Sequence, residues 1–462
     1  MAVPAGVARL LRSQDFRRLA SCWAIGLVVD VMTGAAGSNT APTAGLAADL
    51  GHPRVLVFLA LGTVLWLGLT AYGRRREQVR ARIQLVSTNA SRLMAPPRVR
   101  YPALVGVLVL AILAPQLVNV LLPATKVFWQ QVLVDDVGIF VLLAIGLNVV
   151  VGFAGLLDLG YIAFYAIGAY VSAYWTGALP VQPPFHLNPF WTFPMAVAAA
   201  IVAGVILGAP TLRLRGDYLA IVTLGFGEII QIVARNLTSV TGGPQGVGYL
   251  KTRTVNGQST VVARQLTVPH FSIHLLGINF DWTLDNVPYY YLLLVLAVGI
   301  IVAFRLLENS RVGRAWTAIR EDEVAAEACG INTLKYKIMA FAIGASTSGF
   351  AGVLFASKNG FFDPPIFSVQ LSILVLVFVI FGGMGSIVGV IVGTAVLQVL
   401  PQSLRHQFPQ QDLFIYVGAL LVVMMIFRPQ GLIPSRRRSR ELGLAEEGVG
   451  GADAMGAPGT AP

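Results

Sequence analysis

Charge is what this chain has least of: Asp, Glu, Lys and Arg together make up 12% of its 462 residues, about half the share of an ordinary soluble domain. So little charge cannot clothe a water-exposed surface, which excludes an ordinary soluble globular protein. Cysteine occurs twice, at Cys22 and Cys329, too far apart in sequence to suggest a disulfide framework or a thiolate metal site. Of the five histidines, His270 and His274 stand four apart, but no third His, Cys or Asp lies at ligand spacing, so no metal centre is expected. The lysines are Lys126, Lys251, Lys335, Lys337 and Lys358, and none follows a glycine. The phosphate-cradling pattern G-x-x-x-x-G-K-[ST] is therefore absent, and energy from ATP would have to come from a partner. No zinc-protease motif and no Ser, His and acid set stands out for nucleophilic catalysis either. An enzyme is not expected.

What the chain has is apolar length. Hydrophobic residues make up 56% of it and the mean hydropathy is +0.72, the composition of a polytopic membrane protein built from helices. Counting stretches of about 20 apolar residues gives ten spans from Tyr101 onward: 102–122, 132–154, 157–178, 191–210, 217–235, 289–307, 337–357, 370–382, 385–401 and 412–427. The eighth and ninth are short, and Gly382, Gly383 and Gly385 favour a tight break between them. Before these, Val55 to Tyr72 reads as a further span; Leu19 to Ala36 is weaker, being interrupted by Asp30, and also fits a signal peptide. Residues 1–100 thus read as an extension with one or two hydrophobic helices and a basic loop, 101–435 as the core membrane domain, and 436–462 as a disordered tail.

The net charge of +11 does not point to nucleic acid, because arginines fall in short clusters between spans. Inside loops carry Lys and Arg, and four clusters agree on one orientation. Residues 74–100, Arg213 with Arg215, the loop 308–336, and Arg428 with Arg436–Arg438 all fall on the cytoplasmic side, with the C-terminus. The long segment 236–288, with sparse mixed charge, then faces outside.

The loop 308–336 is the densest charge in the chain. Asn309 or Ser310 is placed to cap a helix, Arg311 to Cys329 is rich in helix formers, and Gly330 is placed to stop it. Val312, Trp316 and Ile319 share one face, while Arg314, Arg320, Glu321, Asp322 and Glu323 occupy others. The bland reading is a solvated inside loop; the functional one is a cytoplasmic docking helix. Within the spans, Asn148, Asp158, Tyr161, Glu228 and Gln231 are the polar candidates for a translocation path. The bland alternative has Asn148 and Gln231 joining helices and Asp158 and Asp217 capping them. Glu228 falls mid-span between small residues, which predicts an interior position.

Four runs carry a family resemblance. GLNVVVGFAGLLDLGYIAFYAIGAYVSAYW at 146–175, RLRGDYLAIVTLGFGEIIQIVARN with the TGGPQG turn at 241–246, NSRVGRAWTAIREDEVAAEACGIN, and LVFVIFGGMGSIVGVIVGTAVL resemble the M-type (LivM-like) permease subunits of branched-chain amino acid ABC importers, in the family's order over roughly residues 100–435. The resemblance implies a half-channel that pairs with a second permease, two cytoplasmic ATPase subunits and an extracytoplasmic solute-binding protein in the plasma membrane. It implies no cofactor in this chain, ATP being used by the partners. It also implies that Ala325, Ala326 and Gly330 let the docking loop seat in an ATPase cleft, flanked by Arg320 to Glu323. Two further readings stay open: a permease of the same architecture for urea or short amides, and a proton- or sodium-coupled secondary transporter working through Glu228 or Asp158.

Overall fold

The computed structural model describes residues 109, 111–119, 125–211, 217–247, 250–255, 258–265, 268–275, 278–281 and 286–404, with a few positions between 417 and 433. The chain divides into Met1–Leu110 and Ala111–Pro462, and the helices and strands named below all belong to the second unit. The expected N-terminal spans, the basic loop 74–100, Arg213, Arg215 and the tail 436–462 lie outside the described residues.

Among the described residues, eight helices make up most of the membrane domain. They are α1 (Lys126–Phe153), α2 (Ile162–Trp175), α3 (Pro189–Thr211), α4 (Asp217–Asn236), α5 (Asn286–Glu308), α8 (Thr333–Asn359), α9 (Val369–Gly382) and α10 (Ile387–Leu404). Five of them are long and apolar enough to cross a membrane: α1, α3, α4, α5 and α8. Residues 111–119 are helical too, as are the described positions between 417 and 425, in keeping with the first and last expected spans. Two spans change most at their boundaries. The helix expected from 132 begins at Lys126, and the span expected over 157–178 narrows to the 14 residues of α2 because Asp158 to Gly160 form a turn rather than helix. The expected break between the eighth and ninth spans is present, with Gly383 and Gly385 at φ 117° and 80°.

Burial ranks the helices. Of the most apolar window of each helix, 78% of α1 and 61% of α8 is buried, against 33%, 28% and 17% for α3, α4 and α5, so α1 and α8 form the centre and the others its rim. The centre is packed through small residues, which let backbones approach where no hydrophobic force separates helix from lipid. A Cβ on Gly168 of α2 would come within 2.5 Å of the Gly349 carbonyl of α8, and one on Gly349 within 2.9 Å of Ala200 of α3. Tyr161 and Phe164 fill the spaces between, both fully buried.

α1 is irregular. It widens to π-helix over Val132–Gly138, returns to α over Ile139–Asn148, and widens again over Val149–Phe153. Each π turn accommodates an extra residue and often marks a functional point in a helix.

Among the described residues, strands occur only in the segment expected outside. β1 (Leu250–Val255) pairs antiparallel with β2 (Gln258–Gln265), and β3 (Ser272–Leu275) with β4 (Ile278–Asp281). The all-helical class holds for the membrane domain, and these two hairpins are an addition to it. The first hairpin had a signal in the sequence, which reads Asn-Gly between the paired Val255 and Gln258, the pattern that most strongly favours a two-residue hairpin. The 241–246 turn is anchored to the same side: Val247 donates its N–H to the Phe362 carbonyl at 2.8 Å, and Gly246, at φ 75°, lies so close to that carbonyl that a Cβ would meet it at 2.5 Å.

Candidate functional site

The loop 308–336 folds as two short helices, α6 (Arg311–Glu321) and α7 (Glu323–Ala328), joined at Asp322. Ser310, rather than Asn309, caps α6, its Oγ accepting from the N–H groups of Val312 at 3.1 Å and Gly313 at 3.4 Å. Asp322 caps α7 in the same way, accepting from Val324 at 2.8 Å and Ala325 at 3.0 Å, so the acid read as part of the charged rim also breaks the helix in two. Gly330 ends the pair at φ 82°.

Three side chains fasten this pair to the membrane domain. Trp316, 1% exposed, donates its Nε1–H to the Tyr336 carbonyl at 2.7 Å. The Glu323 carboxylate meets the Lys337 ammonium at 2.5 Å, and the Lys337 side chain is 4% exposed. Arg320 donates from Nη1 to the Gly152 carbonyl at the end of α1. The outward face includes Arg314, Glu321, Val324, Ala325, Glu327, Cys329 and Gly330, all exposed. Of the three small residues expected to seat a partner, Ala325 and Gly330 face out, and no atom would meet a Cβ on Gly330 within 4 Å. Ala326 is turned inward, 4% exposed.

The intramembrane candidates are engaged separately. Asn148 is fully buried and its Oδ1 accepts the Gly385 N–H at 2.8 Å; its Nδ2 has no acceptor among the described residues. Asp158, also fully buried, accepts the Gly160 N–H at 2.9 Å in the turn before α2. Tyr161 donates its hydroxyl to the Gly344 carbonyl of α8 at 3.0 Å, and Gln231 donates to the Pro364 carbonyl at 3.3 Å. Each of these bonds ties one element to another or closes a turn. α4 begins at Asp217, whose side chain lies outside the described residues.

Glu228 does not occupy the expected interior position. It is half-buried, at the edge between the packed face of α4 and an open apolar face bearing Ile221, Ile229 and Ile232. The packed face runs through Thr223, Gly227 and Ala234, and Gly227 lies against Gly160, whereas Gly225 faces open space. A mid-span position between small residues does not by itself say which face of a helix meets protein.

Sequence reading passes over Lys337, Lys358, Asp135 and Asp136. Lys358 is 6% exposed with its ammonium 5.3 Å from the Tyr289 ring, and Asp136 accepts from Gln402 at 3.0 Å. Two adjacent acids inside a span are a legible signal. The Glu323–Lys337 pairing, 14 residues apart across a turn, is not. Of the two histidines four apart, His270 has a framework role: its Nδ1 lies 2.8 Å from the Ser357 carbonyl and 3.1 Å from the Tyr289 hydroxyl. Among the described residues no three His, Cys, Asp or Glu gather as metal ligands.

The family described as the branched-chain amino acid transport system permease component matches residues 132–428. Among similar proteins, the high-affinity branched-chain amino acid transport system permease protein LivM of Escherichia coli K12 is 44% identical over 308 residues, covering 66% of this chain and 70% of its own length. BraD of Pseudomonas aeruginosa, a permease protein of such a system, is 26% identical over 64% of this chain and 91% of its own. LivH of Salmonella typhimurium, another, is 26% identical over the same shares. No solved structure matches significantly.

Proposed function

Because the chain belongs to the branched-chain amino acid transport permease family, we propose that it is the membrane-spanning subunit of an ABC importer that moves branched-chain amino acids into the cytoplasm. The observation that carries this reading is the 44% identity to the LivM permease over two-thirds of the chain. That likeness favours branched-chain amino acids over urea or short amides, and an ATP-driven importer over a secondary transporter.

The geometry of α6 and α7 supports the energetic half of the reading. A capped helix pair with an exposed small-residue face, fastened at its root by Trp316 and the Glu323–Lys337 pair, is shaped to receive force rather than to hang as a solvated loop. Two cytoplasmic ATPases supply that force, docking on the face of Ala325 and Gly330, and this chain holds neither ATP nor a cofactor. A second permease completes the channel. Glu228, only half-buried on a rim helix, supports this: a carboxylate facing hydrocarbon is costly, so that face of α4 is covered by the partner or borders a wet passage. A solute-binding protein delivers substrate from outside, and the permease offers a mostly apolar route that suits Leu, Ile and Val. The C-terminus is cytoplasmic.

Reconstitution in vesicles tests the reading. Uptake of labelled leucine is expected only when the second permease, the ATPases, the binding protein and ATP are all present. Full transport by this chain without any ATPase would refute it.

A further inference from the structure

Arg320 lies in the last turn of α6, among charges that face the cytoplasm, yet its side chain turns back into the membrane domain. Its guanidinium donates to the carbonyl of Gly152, in the π turn that closes α1. Its stem crosses Gly155, where the chain reverses at φ 71° and where a Cβ would come within 2.7 Å of Arg320 Cγ. One helical turn before Gly152 stands Asn148, which accepts the N–H of Gly385 in the break between α9 and α10. Gly152 is pinned between them: a Cβ there would collide with Asn148 Oδ1 and come within 2.5 Å of the Gly385 nitrogen. An unbroken run of contacts thus leads from α6, through the end of α1, to the glycine break.

Two features mark this run as more than packing. The π turn is a local departure from the α pattern, with Ala154 bonded back to Val149 at 3.1 Å and Leu156 to Val150 at 3.0 Å, so its end carbonyls are free to take an outside donor. Asn148, fully buried, keeps an Nδ2 group with no acceptor among the described residues. Buried donors are rarely left so, and an unsatisfied one is suited to a joint that changes partners between two states. A guanidinium is suited to hold a carbonyl under load, because its bond is charge-assisted and its donors are fixed in a plane.

We propose that Arg320 is a positioning residue that transmits movement of the docked α6–α7 pair, through the Gly152 carbonyl and Asn148, to the Gly383–Gly385 break; this rests on the reading of α6–α7 as the ATPase-coupling segment. Arg320 then serves coupling and not docking. The two are separable by substitution.

The test uses the complete importer in vesicles, with Arg320→Gln, Arg320→Lys and Asn148→Ala. Amount of ATPase co-purified with the permease and leucine transported per ATP hydrolysed are measured for each. For Arg320→Gln and Asn148→Ala the ATPase is expected at wild-type stoichiometry, with transport per ATP falling about tenfold or more. Arg320→Lys, which keeps a cationic donor for the Gly152 carbonyl, is expected to recover a substantial part. Transport per ATP within twofold of wild type in Arg320→Gln would overturn the proposal. So would loss of the ATPase from that variant, which would make Arg320 a docking residue, or failure of both Arg320 variants to insert, which would make it a residue of the fold. Failure of the wild-type chain to co-purify with any ATPase would instead strike the coupling reading beneath it.

Discussion

Ala325 and Ala326 are neighbours with opposite surroundings, and they separate docking from folding at the scale of one residue. Ala325 is exposed on α7 while Ala326 is buried against the membrane domain. Ala325→Trp is expected to insert normally and to lose ATPase co-purification and uptake together. Ala326→Trp forces a large ring into a packed site at a cost of about 1–3 kcal/mol or more, and is expected to lower the amount of permease inserted. Equal loss of inserted protein in both, measured by membrane immunoblot, would place the docking face elsewhere. Gly330 is a poorer probe, because at φ 82° any side chain is strained whatever docks beside it. Glu228 gives a second test at this scale. Its side chain makes no hydrogen bond or ion pair among the described residues. If ATP alone drives transport, Glu228→Gln is expected to leave the pH profile of uptake unchanged; abolition of a strong wild-type pH dependence, with assembly intact, would favour proton coupling.

At the scale of elements, the coupling pair depends on what holds its root. Glu323 and Lys337 fix α7 to the first turns of α8, and they are unequal partners: the lysine side chain is 4% exposed, the glutamate side chain 26%. Removing the acid strands a buried ammonium, whereas removing the lysine leaves a carboxylate that water reaches. Glu323→Gln is therefore expected to destabilise by about 3 kcal/mol, the low end for breaking a buried pair, and Lys337→Met by distinctly less. Thermal unfolding of the purified complex ranks them; the reverse order would show that the pair is solvated in the assembly. The helices themselves were legible because a span needs a long apolar run and a cap needs a short polar side chain at its start, and Ser310 satisfies the second rule as read. The π turns of α1 were not, since the same residues suit α and π geometry and no local pattern in the sequence selects between them.

For the whole molecule, the charge pattern predicts an orientation that can be measured. Cys329 is exposed and free, and in a chain with Cys22 replaced by Ser it is the sole native thiol. A membrane-impermeant maleimide is expected to label it only after cells are permeabilised. A cysteine introduced at Ser259, in β2, is expected to be labelled on intact cells once Cys329 is also replaced. Labelling in the opposite sense at either position would invert the topology.

By itself the sequence determined that this is a helical membrane protein, roughly where its described helices lie, which loop carries the charge, and to which family it is similar. Those properties follow from local rules: apolar length, cap chemistry, arginine placement, and runs of residues that stay together along the chain. Only the tertiary structure decided which way each polar group in those elements points. Ala326 and Arg320 turn into the body, Ala325 turns out, and Glu228 sits at a rim instead of the interior. Such choices depend on residues far away in sequence, Gly152 for Arg320 and Lys337 for Glu323, and a helix apolar on all sides has no pattern that announces its neighbour.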